Sequence, residues 1–250
     1  MNKRTGISIL LAAILLSGCS TEKPGAGTEG PGNSNNSVRE TTTLSEQETG
    51  QDVTWYSENH EVKLSPIKEN DTGGYERVTI EVNGVQKDFD WRFSTLGEPL
   101  IYYTDVTGDG EEEAVVILNL GKGTGLSIDE IHVLNSKDLS EIKVQSYEEI
   151  TADQVETHIT NHNDILAIKV EAQGKKYEFS YESPFPDLDQ EQLYFGGVVY
   201  YHVEDQTIVS TLGASFGISP QYVCDVRITY KFDKARNELI ADRIEVKPYD

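Results

Sequence analysis

The stretch Val78-Thr79-Ile80-Glu81-Val82-Asn83-Gly84-Val85-Gln86-Lys87-Asp88-Phe89 places two β-forming runs on either side of an Asn-Gly pair. Val78, Ile80 and Val82 alternate with polar residues, the period of a strand that buries one face. Asn-Gly supplies the positive φ angles of a tight type I′ turn, whose twist suits the strands that it joins. The segment therefore predicts an antiparallel hairpin. The pattern recurs further along the chain: Ile165 to Ala172 faces Lys175 to Tyr181 across Gln173-Gly174, Gly197 to Val203 faces Thr207 to Leu212, and Val223 to Phe232 faces Glu238 to Val246. In the last of these, Val226, Ile228 and Tyr230 share one face, while Asp225, Arg227, Thr229 and Lys231 share the other.

From Trp55 onward such runs are punctuated by turn residues every eight to twelve positions or so, which indicates an all-β fold. The expected architecture is an antiparallel meander of sheets, stacked or rolled, in preference to a small propeller, with at most one short helix. That helix is expected over Glu148 to Gln154, with Thr151 as N-cap and Gln154 three residues on as a capping box. Val155, Thr157 and Ile159 alternate as a strand does, so a strand is expected to follow at once. Ser183 to Gln192, with its prolines and acids, reads as a loop. It separates a β domain over 53–182 from C-terminal hairpins over 193–250 that pack on the same domain.

With 250 residues, 37% of them hydrophobic and 9% aromatic, the chain has enough apolar side chain to bury a core, which excludes disorder throughout. Its 21 Lys and Arg against 43 Asp and Glu give a net charge of -22. Such a chain repels phosphate backbones, so nucleic acid is excluded as a partner. Cys19 and Cys224 are too few for a disulfide framework.

The N-terminus carries an address. Lys3 and Arg4 precede an apolar run from Ile7 to Leu16 and a small-residue finish, Leu16-Ser17-Gly18-Cys19, the layout of a signal peptide. As a helix, a run of about ten residues spans about 15 Å, half of a hydrocarbon core of about 30 Å, so it is too short to cross a membrane. The last four residues resemble the bacterial lipobox. That resemblance implies removal of residues 1–18 and a diacylglycerol thioether on Cys19, which holds the protein on the extracytoplasmic face of a cell membrane. Residues 19–52 are rich in Gly, Ser, Thr, Asn and Glu and cannot offset their ordering entropy by burial. They read as a tether, with a root-mean-square span of about 30 Å as a flexible coil.

One segment carries chemistry. Thr104-Asp105-Val106-Thr107-Gly108-Asp109-Gly110-Glu111-Glu112-Glu113 precedes the apolar run Ala114 to Leu118. Oxygen donors recur at every second position: Asp105, Thr107, Asp109, the backbone carbonyl of Glu111, and Glu113. Gly108 and Gly110 permit the tight turn that would bring them to one focus. Carboxylates at ligand spacing repel one another unless a cation or protons intervene, and a hard cation, Ca2+, suits an all-oxygen set. Counting Asp105 as first, the twelfth position is Val116, so the bidentate Glu of an EF-hand is absent. The order strand, D-x-T-G-D-G-x-x-E, strand resembles the calcium loops of FG-GAP and VCBS-type β repeats, over Leu100 to Val144. The resemblance implies calcium ligands from Asp105, Thr107, Asp109, Glu111 and Glu113, with Thr107 in place of the commoner Asp or Asn. The same residues also read as a plain acidic turn.

Other signals carry less. Gly121-Lys122-Gly123-Thr124-Gly125 lacks phosphate-loop spacing and reads as a glycine loop between strands; His158 and His162 have no intervening glutamate of an HExxH site. No G-x-S-x-G elbow is present, and Cys224, beside Val223 and Val226, reads as a small buried hydrophobe. Trp55, Tyr56, Trp91, Phe93, Tyr102 and Tyr103 could line a platform, although their strand positions place at least half of them in the core. The expectation is thus a lipid-anchored envelope protein with a calcium-stabilised β module that binds an envelope protein or glycan, or spaces, rather than catalyses. The alternative is an envelope hydrolase acting on glycan or peptide through a carboxylate pair that the sequence does not locate.

Overall fold

The computed structural model describes residues 53–163, 165–185 and 188–249. The expected signal peptide, Cys19 and the whole of the expected tether lie outside these residues.

The chain folds as the all-β protein expected, with a single short helix among the described residues. The first sheet orders β1 (Trp55–Tyr56), β2 (Val62–Glu69), β3 (Tyr75–Val82) and β4 (Val85–Phe89) in sequence, all antiparallel. The β3–β4 hairpin turns through Asn83 and Gly84, both at positive φ (51° and 81°), as the dipeptide requires. Next come β5 (Leu100–Thr104), β6 (Glu113–Gly123), β7 (Leu126–Asn135) and β8 (Glu141–Val144). The segment expected as a glycine loop is mostly strand, since β6 runs on to Gly123 and the reversal is confined to Thr124-Gly125.

Helix α1 (Tyr147–Gln154) runs straight into β9 (Val155–His162), which settles the two overlapping signals by giving each its own residues. Its N-cap, however, is Ser146, whose hydroxyl accepts from the Glu149 amide at 3.2 Å. Thr151 is inside the helix and donates to the Glu148 carbonyl instead. Ser146-x-x-Glu149 is a capping pattern of equal quality five residues earlier, and the helix that it starts buries Ile150 fully. Strands β10 (Ile165–Ala172) and β11 (Lys175–Glu182) complete a three-stranded sheet with β9.

After the expected loop, β12 (Tyr194–Glu204), β13 (Thr207–Phe216), β14 (Gln221–Asp233) and β15 (Glu238–Pro248) form successive antiparallel pairs. Two junctions are parallel, which a pure meander does not provide: β15 meets β8 through Glu238 and Leu239, and β12 meets β7 through Val198 and Val199. Since β7 pairs with β8 at one end and with β12 at the other, the strands β12, β13, β14, β15, β8 and β7 close into a ring, with β6 and β5 carried outward on the free edge of β7. Closure covers the edges of β12 and β15 at two residues each.

Two apolar clusters follow from this layout. Val115 and Ile117 of β6 join the ring residues Val199, Leu212, Val226, Ile228 and Ile244, together with Leu166, Ile168 and Val170 of β10. Ala114, Val116 and Leu118 of the same strand join Val62, Leu64, Val78 and Ile80 of the first sheet. Strand β6 is therefore the wall between two cores, and its unbroken run Ala-Val-Val-Ile-Leu is what a strand buried on both faces needs.

The ring closes around Tyr222. Its hydroxyl donates to the Gly125 carbonyl at 2.7 Å, tying β14 to the β6–β7 turn, and its ring lies where side chains at Gly197 and Gly213 would be. A Cβ at Gly213 would sit 2.7 Å from Tyr222 Cδ1 and 3.0 Å from Val198 Cβ, whereas one at Gly121 would meet nothing within 4 Å. Gly213→Ala is accordingly expected to cost about 1–3 kcal/mol in urea unfolding, as overpacking does, while Gly121→Ala changes stability by less than about 1 kcal/mol.

A second latch joins the two sheets through aromatic stacking. Trp91 stacks on Phe89 at 4.3 Å and on His132 of β7 at 3.8 Å, and its Nε1 donates to Glu141 at 3.2 Å. Glu141 and Glu130 lie 3.5 and 3.8 Å from the imidazole, yet loss of hydration outweighs them and pushes the His132 pKa down to about 4. The folded state thus resists the proton that the unfolded chain accepts near pH 6.5. Stability is expected to fall as pH drops from 6.5 to 4, by at most about 3 kcal/mol. In His132→Phe, which keeps the stack and removes the titration, unfolding curves should lose that slope.

Candidate functional site

The acidic loop links β5 to β6, and its backbone is shaped by its own carboxylates. Asp105 accepts from the amides of Gly108 at 2.7 Å, Asp109 at 3.3 Å and Gly110 at 2.9 Å. Gly108 and Gly110 hold positive φ (73° and 92°), the conformation that turns these amides inward and that other side chains resist. Asp109 in turn accepts from the Glu111 amide at 2.9 Å. Burial opposes the charge on Asp105, but the amides of Gly110 and Gly108 outweigh it and hold the carboxyl below its usual range.

Glu113 opens β6 with only 1% of its surface exposed. Its Oε2 accepts from the amides of Val106 at 3.0 Å and Thr107 at 3.3 Å, and the Thr107 hydroxyl lies 3.5 Å from its Oε1. Desolvation is the main reason that its pKa rises to about 6; the charges of Asp109 and Asp105 add to the rise, and the two amides only partly offset it. Thr107 is buried, whereas Asp109 and Glu111 are exposed, and the Glu111 carboxylate pairs with Lys137 at 3.3 Å.

The loop therefore brings the expected residues into one bend but satisfies their oxygens with amides. Among the described residues, no group of three or more His, Cys, Asp or Glu stands close enough to hold a metal ion. An ionised carboxylate has about four lone-pair sites, so Asp105, Asp109 and Glu113 each retain acceptor capacity beyond the bonds they make here. The donor set thus fits a hard cation in chemistry, and what it lacks in this arrangement is a common focus. Cys19, the expected lipidation site, lies outside the described residues.

The remaining sequence signals fall into structural roles. His158 and His162 are both exposed on β9, and four residues of strand separate them by about 13 Å, too far to share an ion. Cys224 is fully buried, and burial pushes its thiol up to about 12, far from a reactive thiolate. Trp91 and Phe93 belong to the core, Trp55 and Tyr103 pack against it, and Tyr56 is exposed.

Two concavities were not foreseen. One is an open cleft of about 790 Å³ between α1, the β9–β10 strands and the segment at Gln192–Phe195, and its lining includes Asp153, Glu156 and Glu171. Glu156 and Glu171 are direct cross-strand partners, and Lys176 lies 3.3 Å from Glu171. The other is a small notch at Asn119 and Asp129. Both assemble residues from separate strands, so no local motif announces them. No protein-family model, curated protein or solved structure matches the chain.

The cost of keeping Glu113 ionised in its buried position gives a measurable pH dependence. A carboxyl raised from 4.5 to about 6 favours folding in its protonated form, so its contribution is complete below pH 4.5 and is lost as pH rises through 6. Glu113→Gln, which can still accept from both amides, is expected to raise stability at pH 7 by up to about 2 kcal/mol and to flatten this window in thermal unfolding.

Proposed function

We propose that the chain is a lipid-anchored protein of the cell envelope whose all-β part binds or spaces on the extracytoplasmic face, with calcium stiffening the 105–113 loop. The anchor rests on one observation, the Leu16-Ser17-Gly18-Cys19 sequence behind a short apolar segment. Two acyl chains supply about 0.8 kcal/mol per buried methylene, enough for stable attachment without a spanning segment. A tether over residues 19–52 then leaves the folded part clear of the bilayer, where the acidic balance of the chain, -22 over its full length, also keeps it from anionic headgroups.

The calcium reading is supported by the crowding of Asp105, Asp109 and Glu113, whose mutual repulsion helps to raise the Glu113 pKa. A divalent ion between them would cancel that repulsion, with Asp105, Thr107, Asp109, the Glu111 carbonyl and Glu113 as ligands. Its role is to rigidify the link between β5 and β6, and so the wall that both cores share. The binding role is supported by the burial of the one thiol among the described residues and by the absence of a nucleophile elbow from the sequence.

The alternative, an envelope hydrolase acting on glycan or peptide, draws on the cleft that holds Asp153, Glu156 and Glu171. It requires Glu156→Gln or Glu171→Gln to abolish release of product from an envelope glycan or peptide digest. Unchanged release excludes that pair.

Two measurements test the leading reading. Labelled palmitate should be incorporated into the full-length chain in bacterial cells and lost in Cys19→Ser, which should also shift the protein from the membrane to the soluble fraction. Millimolar calcium should raise the melting temperature by several degrees and chelator should reverse it, while Asp109→Ala should lose the response. Melting that ignores both additions at these levels leaves the loop as a turn closed by its own amides.

A further inference from the structure

The notch between the β5–β6 strands and β12 has a volume of about 200 Å³, and its lining includes Asn119, Ser127, Asp129, Lys122 and Tyr200. Asn119 and Asp129 are cross-strand partners on β6 and β7, and both are tied down. The Asn119 amide nitrogen donates to Asp129 Oδ1 at 2.9 Å and to the Ile128 carbonyl at 3.3 Å. These two acceptors fix the orientation of the amide, because turning it over would set oxygen against oxygen. Its oxygen is then left buried and without a donor, although the side chain is only 7% exposed. An acceptor in that state costs about 1–3 kcal/mol unless something supplies a hydrogen.

Asp129 is committed in the same way. Its second oxygen accepts from the Tyr201 amide of β12 at 3.4 Å, and burial raises its pKa against the help of Asn119, Tyr201 and the nearby Lys122 charge. Ser127, 4% exposed, lies 3.4 Å from the Asn119 amide nitrogen as an acceptor, which leaves its own hydrogen free to donate. Just beneath the floor of the notch therefore lie a spare acceptor enclosed beside Gly97, a carboxylate with unused lone pairs and a hydroxyl donor. Its rim is mixed: Tyr200, 44% exposed, and Leu100, 45%, stand beside the exposed charged side chains of Glu98 and Lys122.

We propose that this notch binds a hydroxylated ring, a single sugar unit of a larger glycan. A hydroxyl group both donates and accepts, so it meets Asn119 and Ser127 at once, and the C–H face of a sugar ring suits the exposed Tyr200 and Leu100 side chains. Glu98 and Asp129 stand against the single charge of Lys122, so a cation is the competing occupant that the test must separate from a sugar. The volume lies below the roughly 300 Å³ at which drug-sized ligand pockets begin, which matches one ring rather than an extended chain. The proposal is independent of Cys19 and of the calcium loop, because it uses neither.

The test is nuclear magnetic resonance on the folded domain, following the Asn119 side-chain amide and the Tyr200 ring during titration with glucose, N-acetylglucosamine and their short oligomers. At least one sugar should shift both signals with a dissociation constant on the order of 1 mM, about -4 kcal/mol of binding. Tyr200→Ala, at an exposed position that leaves the fold intact, and Ser127→Ala should each weaken that constant at least tenfold, or about 1.4 kcal/mol. Putrescine is the cationic control. Shifts at Asn119 and Tyr200 with putrescine but no sugar overturn the proposal. So does a resident water detected at Asn119 with neither signal responding to any sugar, and so does sugar binding that survives Tyr200→Ala and Ser127→Ala unchanged.

Discussion

Strand β6 has no solvent face along Glu113 to Asn119, and the rest of the architecture is arranged around that fact. One set of its side chains closes the core of the ring and the other closes the core of the first sheet. A strand shared in this way cannot slip by one residue, because each core would receive the side chains sized for the other. It also ties the acidic loop to the packing, since the loop ends at Glu113, the first residue of this strand and the point at which a carboxylate enters the interior.

The hairpins were legible because their determinants are local. Asn83-Gly84 and Gln173-Gly174 stand at positive φ where turn chemistry places them, and period-two patterning fixes which residues face in. What was not legible is long-range. The two parallel junctions that close the ring involve two residues on each strand, Val198 and Val199 against Ser127 and Ile128, and Glu238 and Leu239 against Lys143 and Val144. No turn residue marks such a pairing, and its energy comes from the core that it encloses. The helix cap lies five residues before the expected one for a related reason: Thr151 and Ser146 both offer a hydroxyl with Glu or Gln three residues on, and the burial of Ile150 separates them.

The candidate sites divide along the same line. Every residue of the acidic loop lies within nine positions, so its crowding could be read directly; what the sequence could not show is that backbone amides of residues 106 to 110 would reach the carboxylates first. The notch draws Asn119, Asp129 and Tyr200 from three strands, and becomes visible only when β7 is seen to share its edge with β12. Its spare acceptor is a product of register: Asn119 is opposite Asp129, and that pairing commits the amide nitrogen and strands the oxygen.

Cys224 sits in the interior of the ring, fully enclosed, with its thiol held far from ionisation. A sulfhydryl that neither ionises nor meets solvent is a poor partner for exchange, so the folded part has no chemical dependence on the redox poise around it. Such a domain can mature without oxidase or isomerase assistance and has the same covalent structure in reducing and oxidising surroundings.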